Sequence, residues 1–362
     1  AASDVYKRQV YGDKTAQGYD AASREKLYVR LERRQFYALF GDFKTGLSVT
    51  ELARYDRSLT GFKSELRSKH FDLNVFASET DQNFVKDEIR GEGTSGLYRL
   101  RYPDLVMNSD KVRIETRDRF RPQIVLSTQP MTRNIDYNID YNAGTLYFKQ
   151  PVPSKDANLN LVYIVVDYET RADGAEQWTY GGRGAVKFAD DKVEVGATYI
   201  NQGQETDDDT LKGVDAKIAI SNNTELKLEY ATSQTGADDS KDAYLAELTH
   251  IAGKVEGSLY YREQELGFGL GQQSVVGTGT SIVGIDGRYN LTDKLNITAE
   301  IFRQTNLETN ADRDVIEAGV NYDHTHYGAS AGVLMAEDSF TNGTSNTSNQ
   351  LTLGAHKSFI DN

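Results

Sequence analysis

"KIAISNNTELKLEY", residues 217–230, alternates in polarity with almost no slip. Ile218 and Ile220 lead into a turn at Asn222-Asn223, after which Leu226, Leu228 and Tyr230 point one way. Lys217 lies on the other side, followed across the turn by Glu225, Lys227 and Glu229. A strand repeats every two residues, so this is a hairpin with one apolar and one charged face. If the charged face meets water, the hairpin belongs to a soluble sheet. If the apolar face meets lipid, it is a piece of membrane-barrel wall.

The surrounding sequence favours the wall. From about residue 177 onward, alternating segments of about ten residues are joined by connections that are themselves alternately short and long. The short ones are rich in turn formers: "ADDK" (189–192), "SNNT" (221–224), "IAGK" (251–254), "NLTDK" (290–294) and "DHTH" (323–326). The long ones are polar and acidic, among them "GQETDDDTL" (203–211), "ELGFGLGQQSVVGTGT" (265–280) and "DSFTNGTSNTS" (338–348). Short turns on one rim and long loops on the other characterise an outer-membrane barrel.

With each segment aligned on its apolar register, the outward set (Val186, Val195, Ile218, Leu228, Ile285, Val320 and their equivalents) carries no charge. The alternate positions carry Arg183, Lys187, Glu194, Asp215, Lys217, Glu225, Lys227, Glu229, Glu247, Glu256, Asp286, Arg288, Glu300 and Glu317, read as lumen-facing charges. A Lys or Arg facing lipid at mid-bilayer costs about 2–4 kcal/mol, enough to clear that face. Ala and Gly recur on the apolar side, where lipid chains fill the space and a soluble core would leave voids. Trp178, Tyr199, Tyr230, Tyr261, Tyr289, Tyr322 and Tyr327 sit near strand ends, as an aromatic girdle requires. About ten residues at about 3.3 Å each, tilted near 45°, span about 23 Å of apolar band.

The bulk composition is compatible with this. The 362 residues hold no cysteine and five prolines, and the formal net charge is −13. An acidic balance with no basic stripe speaks against a nucleic-acid partner, and the lack of cysteine excludes disulfides and thiolate metal sites. No apolar run approaches the length of a membrane helix.

Four segments follow. Residues 1–9 contain "DVYKRQ", which reads as the translation of a sequencing adaptor and is set aside as an artefact. Residues 10–81 hold the first barrel hairpins, "KLYVRLE" (26–32), "QFYALFGDF" (35–43), "GFKSELR" (61–67) and "DLNVFASET" (72–80), with "SKH" as a tight turn. "VTELARYDRSL" (49–59) suits a loop descending into the next strand better than a helix. Residues 82–172 contain all five prolines and a continuous apolar run, "VYIVVDY", typical of a strand buried on both faces. They read as an inserted all-β plug or cap domain. Residues 173–362 are further barrel hairpins, cut at the C-terminus; both ends of the chain read as those of a fragment.

"YALFGDFKTGLSVTELARYDRSLTG", "GEGTSGLYRL", "KVRIETRDR" and "NIDYNAGTLYFKQPV" resemble a group of very large outer-membrane β-barrel proteins of Gram-negative bacteria. In that group a similar β-domain precedes a long run of barrel hairpins. The resemblance spans roughly residues 25–170 and implies transport, secretion or surface display. It supplies no catalytic residue.

Other candidates carry little. "GEGTSG" (91–96) lacks the Lys-Ser/Thr of a phosphate loop and reads as a turn. "ETDDDT" (205–210) lacks the spaced ligands of a calcium loop and reads as a solvated acidic loop, with divalent cations bridging it to lipopolysaccharide as a secondary reading. His324 and His326 have no evident third metal ligand, and no nucleophile–base spacing involves His70, His250 or His356.

The expectation is an all-β chain, an antiparallel up-and-down transmembrane β-barrel (incomplete) with an inserted soluble β-domain. It works as a passive or gated conduit in the outer membrane, for solute or for protein export and display. It is not an enzyme and uses no cofactor or metal. Its partners are outer-membrane lipid and lipopolysaccharide, with an exported or periplasmic protein as a further candidate. A surface adhesin or structural scaffold of soluble β-domains is the first alternative, and a barrel-borne hydrolase the second.

Overall fold

A computed structural model describes residues 29–357, apart from 81, 120–121, 123, 157–158, 172–176, 205–206 and 274–276. Segment 1–9, the start of the first hairpin, the 172/173 boundary and part of the acidic 205–210 loop lie outside the described residues.

Four strands open the fold: β1 (Val29–Arg33), β2 (Phe36–Lys44), β3 (Ser58–Arg67) and β4 (Phe71–Thr80). Seven shorter or mixed ones follow: β5 (Gln82–Arg90), β6 (Tyr98–Arg99), β7 (Lys111–Arg117), β8 (Val125–Pro130), β9 (Tyr137–Asp140), β10 (Thr145–Phe148) and β11 (Leu161–Arg171). A regular series completes the chain: β12 (Gln177–Phe188), β13 (Val193–Gln202), β14 (Asp209–Ser221), β15 (Thr224–Gln234), β16 (Lys241–Ala252) and β17 (Val255–Gln264). It continues with β18 (Thr280–Thr292), β19 (Leu295–Asn306), β20 (Asp312–His324), β21 (Tyr327–Ser339) and β22 (Ser345–Lys357).

The regular strands form one 15-stranded antiparallel sheet in the order β1 to β4, then β12 to β22. Each strand pairs with its neighbour in sequence except at one junction, where β4 pairs directly with β12. The strands between them form two small sheets, β5-β11-β7-β8 and β6-β10-β9. That excursion leaves from the rim of the long connections, because the β3–β4 turn (68–70) is on the opposite rim. The described ladder ends at β1 and β22, which do not pair with each other.

Register makes the two faces continuous across strands. One row of ladder partners runs Phe188, Val193, Ile218, Leu226, Leu248, Leu259, Ile285, Ile301, Ile316 and Met335, from β12 to β21 without a polar residue. Many of the outward apolar side chains, including Val186, Val195, Leu259, Ile285 and Ile316, are roughly half exposed. The adjacent inward row runs Lys187, Glu194, Lys217, Lys227, Glu247, Tyr260, Gly284, Phe302, Val315 and Ala336. The inward face is thus charged only on part of the sheet. Toward the long-connection rim it carries Leu39, Phe43, Leu59, Ile200, Leu211 and Leu245, all buried in one cluster. A second buried cluster gathers Tyr260, Ile282, Phe302, Val315 and Leu334.

The two small sheets share a core of Val85, Tyr98, Val112, Leu146, Ile164 and Tyr168. Ile164, Val165 and Val166 of β11 are completely buried, so this strand is covered on both faces. Asp110 accepts hydroxyl hydrogen bonds from Tyr137 (2.5 Å) and Tyr141 (2.6 Å), and Asp87 accepts one from Tyr168 (2.8 Å). Burial, reinforced by the carboxylate acceptors, pushes the Tyr137 and Tyr168 hydroxyls well above the ordinary tyrosine range. Pro130 closes the edge strand β8, where a missing N–H is tolerated.

Two expectations change in detail. The "GLYRLRY" strand shrinks to Tyr98–Arg99, because the chain bends after it and Leu105 bridges to Thr170. The expected long loop at 338–348 is a short one, since the β21–β22 ladder runs out to Ser339↔Ser345.

If the outward row faces lipid, Ile285→Arg should destabilise the bilayer-folded protein by about 2–4 kcal/mol. The same charge at Ser258, beside Asp286 on the inward face, should cost far less. Denaturant titration in lipid vesicles measures both; equal costs contradict the assignment of faces.

Candidate functional site

The inward charges are organised by side chains that cross intervening strands. Arg183 on β12 reaches over β13 to Asp215 on β14 (2.5 Å) and also meets Glu194 (3.0 Å). It can do so because residue 196, between them, is glycine: a Cβ there would lie 2.4 Å from the guanidinium. Tyr260 on β17 repeats the device. Its ring lies over Gly284 on β18, and its hydroxyl donates to Glu300 on β19 (3.1 Å).

Direct ladder partners are complementary at Lys187↔Glu194, Glu194↔Lys217, Lys227↔Glu247 and Glu256↔Arg288. They are like-charged at Asp215↔Glu229, Lys217↔Lys227, Asp286↔Glu300 and Glu300↔Glu317. Like charges directly opposite destabilise a ladder, so relief comes from elsewhere. Lys217 pairs diagonally with Glu225 (2.9 Å), Lys187 with Asp72 of β4, and Asp286 accepts from the Ser258 hydroxyl. Arg288 lies 3.8 Å from Glu256.

The rest of the relief comes from two polypeptide segments that fold onto this face. The first is the β2–β3 connection, residues 45–57, held as a loop by the Leu47↔Tyr55 bridge. Its Glu51 carboxylate joins Lys227 (2.7 Å) and Arg262 (2.7 Å) from two wall strands. In return the backbone N–H groups of Glu51 and Leu52 donate to Glu229 (2.9 and 2.8 Å). Leu52 and Tyr55 fill the buried cluster at the rim, where the 265–279 connection adds Phe268 and Leu270. Desolvation pushes the Glu51 carboxyl up, but the charges of Arg262 and Lys227 outweigh it and hold it below the usual carboxylate range.

The second is the β5–β11 segment. The face of its four-stranded sheet that turns away from its own core carries Lys86, Glu88, Arg113, Glu115, Arg117 and Asp167, and much of this charge is buried. The Arg117 side chain is 2% exposed, with Glu88 at 2.8 Å (1% exposed) and Glu115 at 2.6 Å (8% exposed). Arg117 also lies over the Tyr163 ring, 4.7 Å from its centroid. Arg57 of the descending loop bonds Glu169 (3.3 Å) and the Gln82 carbonyl. Arg119, just beyond β7, meets Glu317 on β20, part way along the wall.

Between this face, the loop and wall strands β16–β17 lies a cavity of about 560 Å³, lined among others by Glu51, Arg113, Arg117, Glu247, Tyr260 and Arg262. Of the expected inward charges, Glu247 lines this cavity, Lys227 and Glu229 meet its lining residue Glu51, and Glu300 meets Tyr260; Glu317 is met by Arg119 instead, and Lys217, Glu225, Glu256 and Arg288 stay near the short turns. Sequence reasoning missed Glu51, Arg57, Asp72, Arg119 and Arg262. Arg262 had a signal: it shares the inward parity of Glu256. Asp72 had the same signal, lying on the inward parity of β4; Glu51, Arg57 and Arg119 had none, because no local pattern tells which strand a folded-in segment will meet.

The outward aromatics form two groups. Trp178, Tyr199, Tyr230 and Tyr261 lie toward the long-connection rim, and Tyr289, Tyr322 and Tyr327 toward the turns. Tyr230 and Tyr261 donate onward to Asp242 (3.2 Å) and Glu263 (2.6 Å), where outward-facing charge begins. Among the described residues no group of three or more His, Cys, Asp or Glu could hold a metal; His324 and His326 lie with ring centroids 6.4 Å apart.

No family model and no curated protein matches this chain. Among solved structures it is similar to Pseudomonas aeruginosa OpdQ, with a TM-score of 0.32 and 10% sequence identity over 89% of this chain and 91% of that one. The functional reading rests instead on the strand registers and wall contacts.

Two outcomes follow. Because Glu51 has a depressed pKa, its support of the loop is complete above the ordinary carboxylate range and fades as pH falls below about 4. Hydrogen exchange at the Leu52 amide should lose protection over that fall, and Glu51→Gln should show the unprotected level at neutral pH. Protection that is indifferent to both contradicts the docking. Separately, Glu88→Ala leaves Arg117 buried with one carboxylate fewer and should destabilise the segment by about 3 kcal/mol, read by denaturant titration of the whole chain; a change near zero contradicts a buried network.

Proposed function

We propose that the chain is wall and plug of an outer-membrane conduit, with the β5–β11 segment and the 45–57 loop folded into the lumen. The observation that carries this reading is the direction of charge. The wall's inward acids and bases are answered by Glu51 and Arg119 from segments inside, while the opposite face offers an unbroken apolar row. A lumen that is packed at one rim and ionic farther in is closed at rest. Glu51 and Arg119 are the contacts whose release would open it.

Lipid tolerates no open strand edge, so this reading requires β1 and β22 to be paired in the assembled protein. Lipid on the apolar face and lipopolysaccharide at the acidic rim loops are the partners, and the role is non-enzymatic. Whether the path serves solutes or exported chains depends on its width once the plug moves.

Planar-bilayer recording decides the matter. The intact chain should conduct little, and deletion of residues 82–171 or Arg119→Glu should raise conductance several-fold. Equal conductance in all three forms contradicts a plugged conduit. Solubility of the folded chain in buffer without amphiphile contradicts the membrane wall itself.

A further inference from the structure

A second cavity, about 270 Å³, opens where the descending loop meets the four-stranded sheet, and its charge is unlike that of the rest of the chain. The chain as a whole carries a net charge of −13, yet the cavity is lined by Lys44, Arg54, Lys86, Lys111 and Arg113 against Asp56 and Asp167. Asp167 is already engaged by Arg113 (2.5 Å). Arg54 is exposed, and among the described residues its guanidinium makes no ion pair or hydrogen bond. Among the described residues Lys111 reaches only the Ser58 hydroxyl (2.8 Å), and Lys86 the Gln272 carbonyl (3.3 Å) and Glu88 (3.3 Å).

Gln272 gives the cavity a direction. This residue is 6% exposed and lines both this cavity and the larger one. Its side-chain oxygen accepts from the Asp56 N–H (3.4 Å), and its Nε2 is buried without a hydrogen-bond partner among the described residues. A buried N–H group left unsatisfied costs free energy until an acceptor arrives. Donors and cations facing one space select an anion. Burial also lowers the pKa of both lysines, and nearby Lys44 adds to the effect at Lys111; a bound negative charge would reverse that penalty. Phe84, Val112 and Pro130 form the remaining wall, so one side of the pocket is apolar.

We infer that this niche binds a small organic carboxylate, its charged head on Arg54, Lys86, Lys111 and the Gln272 amide and its apolar body against Phe84, Val112 and Pro130. The inference rests on the conduit reading, for which it names the solute class. Arg54, Lys86, Arg113 and Gln272 line both cavities, so a carboxylate held here stands beside the larger space between plug and wall.

Equilibrium binding to the detergent-folded full chain tests the site whether or not the wall conducts. Calorimetric titration with benzoate should show saturable binding, and benzylamine of the same size should show none. Arg54→Glu should weaken benzoate at least tenfold, and Gln272→Leu several-fold, with heat-modifiable gel migration unchanged in each. No benzoate binding, or binding unaltered in both folded variants, overturns the proposal. Inorganic phosphate binding as tightly as benzoate overturns the organic-ligand assignment. Benzoate binding in a chain that never conducts would uphold the site and dispose of the conduit.

Discussion

An extended backbone in hydrocarbon must pair every N–H and C=O with a neighbouring strand and keep charge off its outer surface. Nearly everything else follows from that constraint. It explains why the ladder from β12 to β22 is antiparallel between sequence neighbours, since hairpins complete pairing with the shortest connections. It explains the uncharged row from Phe188 to Met335. Within the apolar band it also sends the acids and bases of these strands to the other face, where each must find a partner or water.

The inward face then poses its own problem. Fourteen conspicuous charges cannot all be answered by their ladder neighbours, because several rungs place acid opposite acid or base opposite base. Two devices settle the balance. Long side chains cross a glycine to reach the strand beyond, as Arg183 does over Gly196 and Tyr260 over Gly284. Elsewhere the chain supplies counter-charges from segments folded onto the wall: Glu51 between Lys227 and Arg262, and Arg119 against Glu317. These ionic contacts involve polar groups in a partly wet setting, where exchange for water costs little. The buried Arg117–Glu88–Glu115 network is different, because its charges have no water to fall back on.

Much of the wall was legible beforehand because period-two alternation is local. Ile218, Leu226 and Leu228 declare their face within a single hairpin. The β11 run "VYIVVDY" likewise announced a doubly covered strand, and the direct β4–β12 pairing accords with an excursion at a long connection. What escaped was everything that depends on distant contact. The apolar filling of the rim by Leu52, Tyr55 and Phe268 cannot be read locally, because those residues lie in segments without periodicity and their partners are far away in sequence. The same holds for Glu51 and Arg119. The 338–348 stretch reads as a long loop in the sequence but is mostly paired, because Ser, Thr and Asn extend a polar ladder as readily as they form a loop.

The most direct test of the two-faced wall uses the chain's lack of cysteine. Single cysteines placed in turn from Ile282 to Arg288 on β18 would carry a spin label in the bilayer-reconstituted protein. The account predicts that accessibility to a lipid-soluble relaxant peaks at 283, 285 and 287 and falls at 282, 284, 286 and 288, a strict period of two. Lipid accessibility that is flat along the strand, or highest at position 286 where Asp286 now stands, would contradict it.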